Sequence, residues 1–391
     1  MRRVCEARPL VGALLVIQLS ATAHALSAQA PWPTSGWTVA TPKARGLEPE
    51  PLADLHRAIQ TRGFGYIDRM VVVRDGYLVI NERYPRDYRT IGRGQDSASH
   101  QYNYTHPDWH PFFQGRDIHT LQSVTKSVTS VLIGIAIGRG EIAGTGAKLL
   151  SFLGDYNLSR VDRRLHDATV DDLLTMRSGI EWHESDRPLD DTNTTIQLEK
   201  SQDWVQFTLD QPMDAGPGEK WVYNSGGSQL MSAIIRKATG RFVDEYAEEH
   251  LFRPLGIRDF HWKRTPTRLP DTEGGLYLEA EQLAKIGLLY LNDGVWNGSR
   301  ILPEGWVAAS TARRVELANA GGRGYGYQWW RVDRGGAHVW AGLGFGGQFL
   351  VVIPQHRIVG VINSWNVFGN PARGILLPFI DARLAATTSR N

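Results

Sequence analysis

The longest stretch of apolar positions with helical spacing lies between residues 121 and 135. Apolar side chains recur there three and four residues apart, with mostly small residues between them: Leu121, Val124, Val128, Val131, Leu132 and Ile135. A helix with so few polar positions is expected to be buried on nearly every side. Ser123 and Lys126, two of its few polar residues, are three positions apart, so both lie on one face at its start.

A serine beside a buried lysine is a candidate nucleophile. Burial disfavours the ammonium form, so we expect the amine of Lys126 to accept the hydroxyl proton of Ser123. The start of a helix would also stabilise a developing oxyanion through the helix dipole. The alternative is a lysine on a solvated turn, which fits poorly with a nearly all-apolar helix.

The remaining pattern places strands at both ends of the chain and helices in the middle. Residues 70–73 and 78–80 predict a hairpin that turns at Asp75-Gly76. Further helices are predicted over 52–61, 169–179 (capped by Thr169 and Asp172), 229–239, 242–251, 280–291 and 372–386, and further strands over 327–330, 337–340, 349–353 and 358–362. The predicted fold class is α/β (α+β). An antiparallel sheet, built from about 67–84 and 325–365, is flanked by helices, and a mainly helical region of about 119–310 is inserted.

Composition and charge exclude several classes of protein. The 391 residues are 42% hydrophobic and 21% charged, as in an ordinary soluble globular protein. A formal net charge of +2 and the lack of any basic run argue against a nucleic-acid partner.

The N-terminus has the pattern of a signal peptide. Met1-Arg2-Arg3 is basic, residues 10–19 are apolar, and Ala23-His24-Ala25 is a small-x-small cleavage site. We therefore expect a signal peptide of residues 1–25, a mature domain of residues 26–391, and a periplasmic or secreted location. The apolar run is too short to span a bilayer comfortably, so no stable membrane insertion is expected after cleavage. The single cysteine, Cys5, would leave with the signal, which excludes thiol chemistry and disulfides in the mature chain.

Two further patterns suggest other chemistry. Residues 85–119 hold four histidines: His100, His106, His110 and His119. Pro107 prevents His106 and His110 from pairing on one helical face, and no cysteine or carboxylate cluster completes a metal site. We therefore expect no metal and no cofactor. Residues 342–347 read G-x-G-x-x-G, yet a strand and not a helix follows, which argues against a dinucleotide loop. Such a loop suits close backbone approach to a ligand, with a bulged hairpin as the alternative.

Four motifs, in this order, resemble those of the penicillin-recognising serine hydrolases. They are Ser123-Val124-Thr125-Lys126-Ser127, the 169–179 helix, Pro217-Gly218 before Tyr223, and Gly344-Phe345-Gly346-Gly347-Gln348 before a strand. The likeness extends over about residues 50–385 and is closest to the class C β-lactamase-related group. That group includes esterases, D-aminopeptidases and aminohexanoate-oligomer hydrolases.

The resemblance implies roles for individual residues. Ser123 would be the nucleophile that forms the acyl-enzyme, Lys126 its activator and Tyr223 the proton relay to the leaving group. The oxyanion hole would consist of the backbone N–H groups of Ser123 and Phe345, or of Leu343 if Trp340-Ala341-Gly342 is the matching register. Substrate-binding positions would be Ser225, Gly344 and Gly346.

Two departures from the family pattern bear on the substrate. The family's Tyr-x-Asn is Tyr223-Asn224-Ser225, and its Lys-Thr-Gly is Gly342-Leu343-Gly344 or Trp340-Ala341-Gly342. The missing lysine removes the cation that would meet a β-lactam carboxylate. We therefore expect a serine hydrolase for an ester or amide bond of a small molecule. The alternatives are a β-lactamase, a D-aminopeptidase or carboxypeptidase, and a non-catalytic module that binds cell-wall fragments. The oligomeric state is not determined by the sequence.

Overall fold

The computed structural model describes residues 32–91, 110–116, 118–317, 323–367 and 374–387. The predicted signal peptide lies outside these residues, as do His100 and His106, and the expectations for them stay predictions.

The helices and strands follow the predicted succession of strands, helical middle and strands. The strands are β1 Ile67–Arg74, β2 Tyr77–Arg83, β3 His119–Thr120, β4 His261–Trp262, β5 Leu276–Leu278, β6 Val295–Trp296, β7 Ser299–Arg300, β8 Val315–Leu317, β9 Arg323–Tyr325, β10 Trp330–Arg334, β11 Ala337–Gly344, β12 Gln348–Ile353 and β13 Ile358–Ser364. The helices are α1 Pro49–Gln60, α2 Tyr88–Ile91, α3 Val124–Gly138, α4 Val170–Leu174, α5 Thr194–Lys200, α6 Trp204–Leu209, α7 Ser225–Thr239, α8 Val243–Ala247, α9 Arg253–Leu255, α10 Ala280–Leu291, α11 Trp306–Thr311 and α12 Leu376–Thr387. A π-helical turn, Glu248–Phe252, joins α8 to α9.

One eight-stranded sheet unites the two ends of the chain. Its strand order is β2-β1-β13-β12-β11-β10-β9-β8, and every neighbouring pair is antiparallel. The β1–β2 hairpin turns at Asp75 and Gly76, both with positive φ, as the sequence predicts. The predicted fold, an antiparallel sheet with helices around it and a helical region inserted, is confirmed.

The sheet separates two hydrophobic cores. Helices α1 and α12 pack on one face, while α10 and the serine helix α3 pack on the other. Thirteen of the fifteen residues of α3 are buried, from Val124 to Ala136. Each fully buried aliphatic side chain of this kind contributes about 1.5–3 kcal/mol. Gly134 lets the helix approach Trp306, since a Cβ there would lie 2.4 Å from the indole. The helix that starts at Ser123 is therefore held rigidly in the core.

Several element boundaries differ from the predictions, each for a local reason. The capping box of Thr169 and Asp172 is confirmed, but α4 ends at Leu174, because Met176 has a left-handed backbone with φ +59°. Helix α7 begins four residues earlier than predicted, where the side chain of Asn224 accepts the Gly227 N–H at 2.7 Å. Residues 327–329 form a turn, so the strand predicted there is wrong and β10 begins at Trp330.

Residues 32–40 form a strap along the outer strand of the sheet. Leu78 of β2 exchanges backbone hydrogen bonds with this strap, accepting from Ala40 and donating to Thr38, both at 3.0 Å. Further along, the Trp296 indole donates to Thr34 Oγ1 at 2.9 Å. The strap thus ties the edge of the sheet to the inserted region.

Within the described ranges, no helix combines the length and the apolar character needed to cross a membrane.

Candidate active site

Ser123 is the N-cap residue of α3, directly after a strained residue. Gln122, which precedes it, is buried and has φ +48°, a conformation that costs a non-glycine residue about 1–3 kcal/mol. Its backbone N–H and side-chain amide both donate to Thr120 Oγ1, at 3.3 and 3.2 Å. This turn from β3 into α3 sets the position of Ser123, and no signal in the sequence indicated it.

Lys126 lies beside Ser123, as the sequence predicts. Its Nζ is 3.0 Å from Ser123 Oγ, and its side chain is 1% exposed. The same Nζ donates to the backbone carbonyl of Glu273 at 2.6 Å and contacts the Glu273 carboxylate at 3.3 Å. The lysine is therefore buried but not isolated, because a buried carboxylate stands next to it.

A short loop holds Glu273 against the lysine. Asp271 Oδ1 accepts the backbone N–H groups of both Glu273 and Gly274 at 3.0 Å. Thr272 is fixed to helix α7, since its backbone N–H donates to Gln229 Oε1 at 2.9 Å. Glu273 and its loop are functional candidates that sequence reasoning missed, because no spacing connects position 273 to position 126.

The charge state of Lys126 corrects one expectation. Burial alone lowers the pKa of the Lys126 ammonium, but the electrostatic influence of Tyr223, Glu273, Glu184 and Asp271 outweighs burial and raises that pKa above its usual value. The expectation that burial lowers the pKa of Lys126 below its usual value is therefore wrong. It considered only the apolar positions of the helix and not the carboxylates that other segments bring to it.

Tyr223 completes a cluster of three around the nucleophile. Lys126 Nζ lies 5.3 Å from the centre of its ring. Burial raises the pKa of the Tyr223 hydroxyl, and the opposing effects of Lys126 and Ser123 do not cancel that rise. At neutral pH Tyr223 is therefore a protonated phenol that can donate a proton.

The side chains of two tryptophans pack next to Tyr223 and extend the site. The ring of Trp330 stacks on Tyr223 with centroids 5.9 Å apart, and Trp221 meets both rings at 6.3 and 6.0 Å. These half-buried rings form an apolar wall next to Ser123.

Ser225 is fully buried at the start of α7. Its hydroxyl donates to Glu184 Oε1 at 2.9 Å and its backbone N–H to Glu184 Oε2 at 3.0 Å, while the Trp182 indole donates to the same carboxylate. Burial raises the pKa of the Glu184 carboxyl. Glu184, in the loop that follows Trp182, is a second group that the sequence did not single out. The substrate contact expected of Ser225 stays a prediction.

The glycine motif lies at the end of β11 and in the hairpin to β12. A Cβ on Gly344 would be 2.5 Å from the carbonyl oxygen of Leu121, and one on Gly342 would be 2.9 Å from Ser127 Oγ. Strand β11 therefore packs directly against the start of α3. Gly346 has φ +77° in the turn, and the Phe345 side chain is exposed. The motif is a hairpin that packs closely against α3, and the expected approach of its backbone to a ligand stays a prediction.

The remaining histidines of the candidate metal region pack among aromatic rings. His119 stacks on Trp365 with centroids 3.8 Å apart, and His110 meets the edge of Tyr277. In the part of the chain that the structure describes, no group of three or more His, Cys, Asp or Glu side chains could hold a metal ion.

An antiparallel sheet with a buried helix that presents serine and lysine at its start is the architecture of a serine hydrolase with the β-lactamase/transpeptidase fold. The chain belongs to the Beta-lactamase family, whose family model matches residues 71–384.

Comparison with known proteins identifies relatives among hydrolases of amides and esters. The chain is 25% identical over 274 residues to the 6-aminohexanoate-dimer hydrolase of Paenarthrobacter ureafaciens, covering 65% of this chain and 68% of that protein. Its fold is similar to a family VIII carboxylesterase, with a TM-score of 0.63, 15% identity, and 86% and 97% of the two chains covered. It is also similar to a D-stereospecific amidohydrolase from Streptomyces sp., with a TM-score of 0.61, 18% identity, and 86% and 99% covered.

Proposed function

We propose that this protein hydrolyses an ester or linear amide bond of a small, uncharged substrate through an acyl-enzyme on Ser123. The observation that carries the proposal is the cluster at the start of α3. There, Lys126 Nζ lies 3.0 Å from Ser123 Oγ and 5.3 Å from the centre of the Tyr223 ring. A nucleophile with a proton acceptor and a proton donor beside it is what acyl transfer requires.

The proposed reaction has two steps. Ser123 Oγ attacks the substrate carbonyl and loses its proton to Lys126, and Tyr223 donates a proton to the leaving group. The backbone N–H groups of Ser123 and Phe345 stabilise the oxyanion; the tight packing of Gly344 against Leu121 supports this register, with Leu343 as the alternative donor. Water then attacks the acyl-enzyme and gives its proton to Tyr223, while Lys126 returns its proton to Ser123 Oγ.

The substrate class follows from the charge and the rings around Ser123. Gly342-Leu343-Gly344 stands where the family has Lys-Thr-Gly, so the lysine that would meet a substrate carboxylate is missing from this motif. The wall of Tyr223, Trp221 and Trp330 suits an apolar acyl or leaving group. Relatives named as an aminohexanoate-dimer hydrolase and a carboxylesterase agree with linear amides and esters.

Covalent labelling tests the nucleophile directly. A fluorophosphonate probe should add one adduct per chain, and peptide mass spectrometry should locate it on Ser123. Ser123→Ala is the matched control and should take up no probe. Labelling that is absent from the folded wild type, or found on another serine, would contradict the proposal and favour a binding module.

A comparison of substrates tests the proposed class. We expect kcat/KM for the neutral ester nitrophenyl butyrate to exceed that for the anionic cephalosporin nitrocefin by about tenfold or more, because a buried charge without a partner costs several kcal/mol. If nitrocefin is the better substrate, the missing lysine of the third motif has been misinterpreted and the protein is a β-lactamase.

A further inference from the structure

Gln328 is a buried residue with an unusual backbone in the turn between β9 and β10. It is 1% exposed and has φ +59°, a left-handed conformation that is unfavourable for a residue with a side chain. Such a conformation persists only where the surrounding structure holds it. Its hydrogen bonds reach three helices, α3, α4 and α7.

The backbone of Gln328 is bonded to the helix that carries the nucleophile. Ser127 of α3 donates its hydroxyl hydrogen to the Gln328 carbonyl oxygen at 2.7 Å. Ser127 follows Lys126 directly in the chain and is itself 1% exposed. This bond fixes the turn relative to the start of α3, where Ser123 and Lys126 lie.

The side-chain amide of Gln328 bridges the other two helices. Its Nε2 donates to the carbonyl oxygens of Leu173 and Leu174, at 2.8 and 3.2 Å, where α4 ends. Its Oε1 accepts the hydroxyl hydrogen of Ser228 in α7 at 3.1 Å, a shorter contact than the 3.4 Å from that hydroxyl to the Asn224 carbonyl oxygen. The donor and the acceptor of one amide are thus used on two different helices.

Tyr223 lies in the segment between these two contacts. Two residues beyond α4, the carbonyl oxygen of Met176 accepts the Val222 N–H at 3.0 Å, and the Met176 Sδ accepts the Asn224 N–H at 3.3 Å. Val222 and Asn224 are the neighbours of Tyr223 in the chain, and α7 begins directly after Asn224. The end of α4 and the first turn of α7 therefore hold Tyr223 from both sides.

We propose that Gln328 is a positioning residue, which sets the place of the Tyr223 hydroxyl relative to Ser123 and Lys126. The inference rests on the proposed hydrolase function and adds a residue that acts through Tyr223. Trp330, whose ring stacks on Tyr223, follows Gln328 by two residues, so the same turn also places this ring. A misplacement of about 1 Å in a reacting group can lower a rate by about 10²-fold, so a small shift of Tyr223 should be measurable.

Gln328→Met tests the proposal, because methionine keeps the length of the side chain but has neither the amide donor nor the amide oxygen. We expect kcat for an amide substrate to fall about tenfold or more, and kcat for the nitrophenyl ester of the same acyl group by less than about threefold. A displaced Tyr223 fails to protonate an amine, whereas a nitrophenolate departs without a proton. KM should change little on either substrate, because residue 328 is buried away from the substrate. A residue that only stabilises the fold would not separate the two substrates.

A double-mutant cycle shows whether Gln328 acts through Tyr223. In the Tyr223→Phe background the hydroxyl is already gone, so Gln328→Met should cause little further loss of amide hydrolysis. Ser228→Ala is a milder variant that removes the contact on α7 and suits a helix, and it should give a smaller loss with the same difference between amide and ester. If circular dichroism shows that Gln328→Met does not fold, Ser228→Ala takes its place in the cycle.

Three results would overturn the inference. A folded Gln328→Met enzyme that hydrolyses the amide at the wild-type rate would show that these hydrogen bonds do not position Tyr223. Equal losses on ester and amide, where Tyr223→Phe separates the two, would mean that Gln328 supports the whole site. A loss of full size in the Tyr223→Phe background would mean that Gln328 acts independently of Tyr223.

Two controls separate this test from the proposed function. Ser310→Ala changes another fully buried serine, whose hydroxyl contacts the Tyr290 hydroxyl at 3.3 Å and the Val307 carbonyl oxygen at 3.2 Å, and it should leave both rates unchanged. Fluorophosphonate labelling of the wild type reports the nucleophile independently of Gln328. If the wild type is labelled on Ser123 and any of the three contrary results is found, the further inference fails while the hydrolase function stands.

Discussion

Lys126→Arg and Lys126→Ala are each expected to lower kcat/KM for ester hydrolysis by roughly 10²-fold or more, the usual contribution of a general base. An arginine keeps the positive charge beside Glu273 but cannot be deprotonated in a protein, so it cannot accept the serine proton. Alanine removes the base altogether. Rates measured on nitrophenyl butyrate, with circular dichroism to confirm folding, check this expectation. A folded Lys126→Arg enzyme with near wild-type activity at pH 7 would falsify the assignment of Lys126 as the base.

The free energy of unfolding gives a separate measure of the ion pair between Lys126 and Glu273. Lys126→Ala leaves the buried Glu273 carboxylate without its counter-ion, which typically costs about 3–5 kcal/mol. The double variant Lys126→Met with Glu273→Gln removes both charges, so it should recover most of the free energy of unfolding while activity stays lost. Denaturant titration of the two variants separates the structural contribution of the ion pair from its catalytic one.

Tyr223→Phe should slow amide hydrolysis by roughly 10²-fold or more, and hydrolysis of a nitrophenyl ester much less. The difference follows from the leaving groups, because a nitrophenolate departs without a proton and an amine does not. Phenylalanine keeps the stacking with Trp330 at 5.9 Å and removes only the hydroxyl group.

The measurement is kcat/KM on an ester and an amide that share one acyl group. A matched control is Trp221→Phe, which alters the aromatic wall without touching a proton on the reaction path, and its effect on the two substrates should be similar. Equal losses on ester and amide in Tyr223→Phe would instead place Tyr223 in the activation of Ser123.

The sequence alone predicted the parts of the site that depend on local spacing. Ser123 and Lys126 are one helical turn apart, so their contact follows from periodicity, and the antiparallel sheet follows from strands at both ends of the chain. The catalytic role of Tyr223 was inferred from the order of the family motifs and not from the properties of the residues around it.

What sequence reasoning missed depends on contacts between distant segments. Glu273 is 147 positions from Lys126, and Glu184 is 41 from Ser225. Neither belongs to a periodic pattern, and a carboxylate in a loop is ordinarily a solvated group. The resulting error concerned the pKa of Lys126, because the apolar helix indicated a lowered pKa while the loops bring carboxylates that raise it. The left-handed Gln122 was missed for a related reason, since only the junction of β3 and α3 imposes that conformation.

The strap of residues 32–40 has a consequence for the behaviour of the protein in solution. The outer strand of an open sheet carries unpaired N–H and C=O groups that can recruit a strand from another molecule. Here Thr38 and Ala40 occupy those groups around Leu78, and Val39 pairs in parallel with the same residue. A short piece of the same chain thus hinders edge-to-edge pairing at this point of β2 without adding a full strand to the sheet.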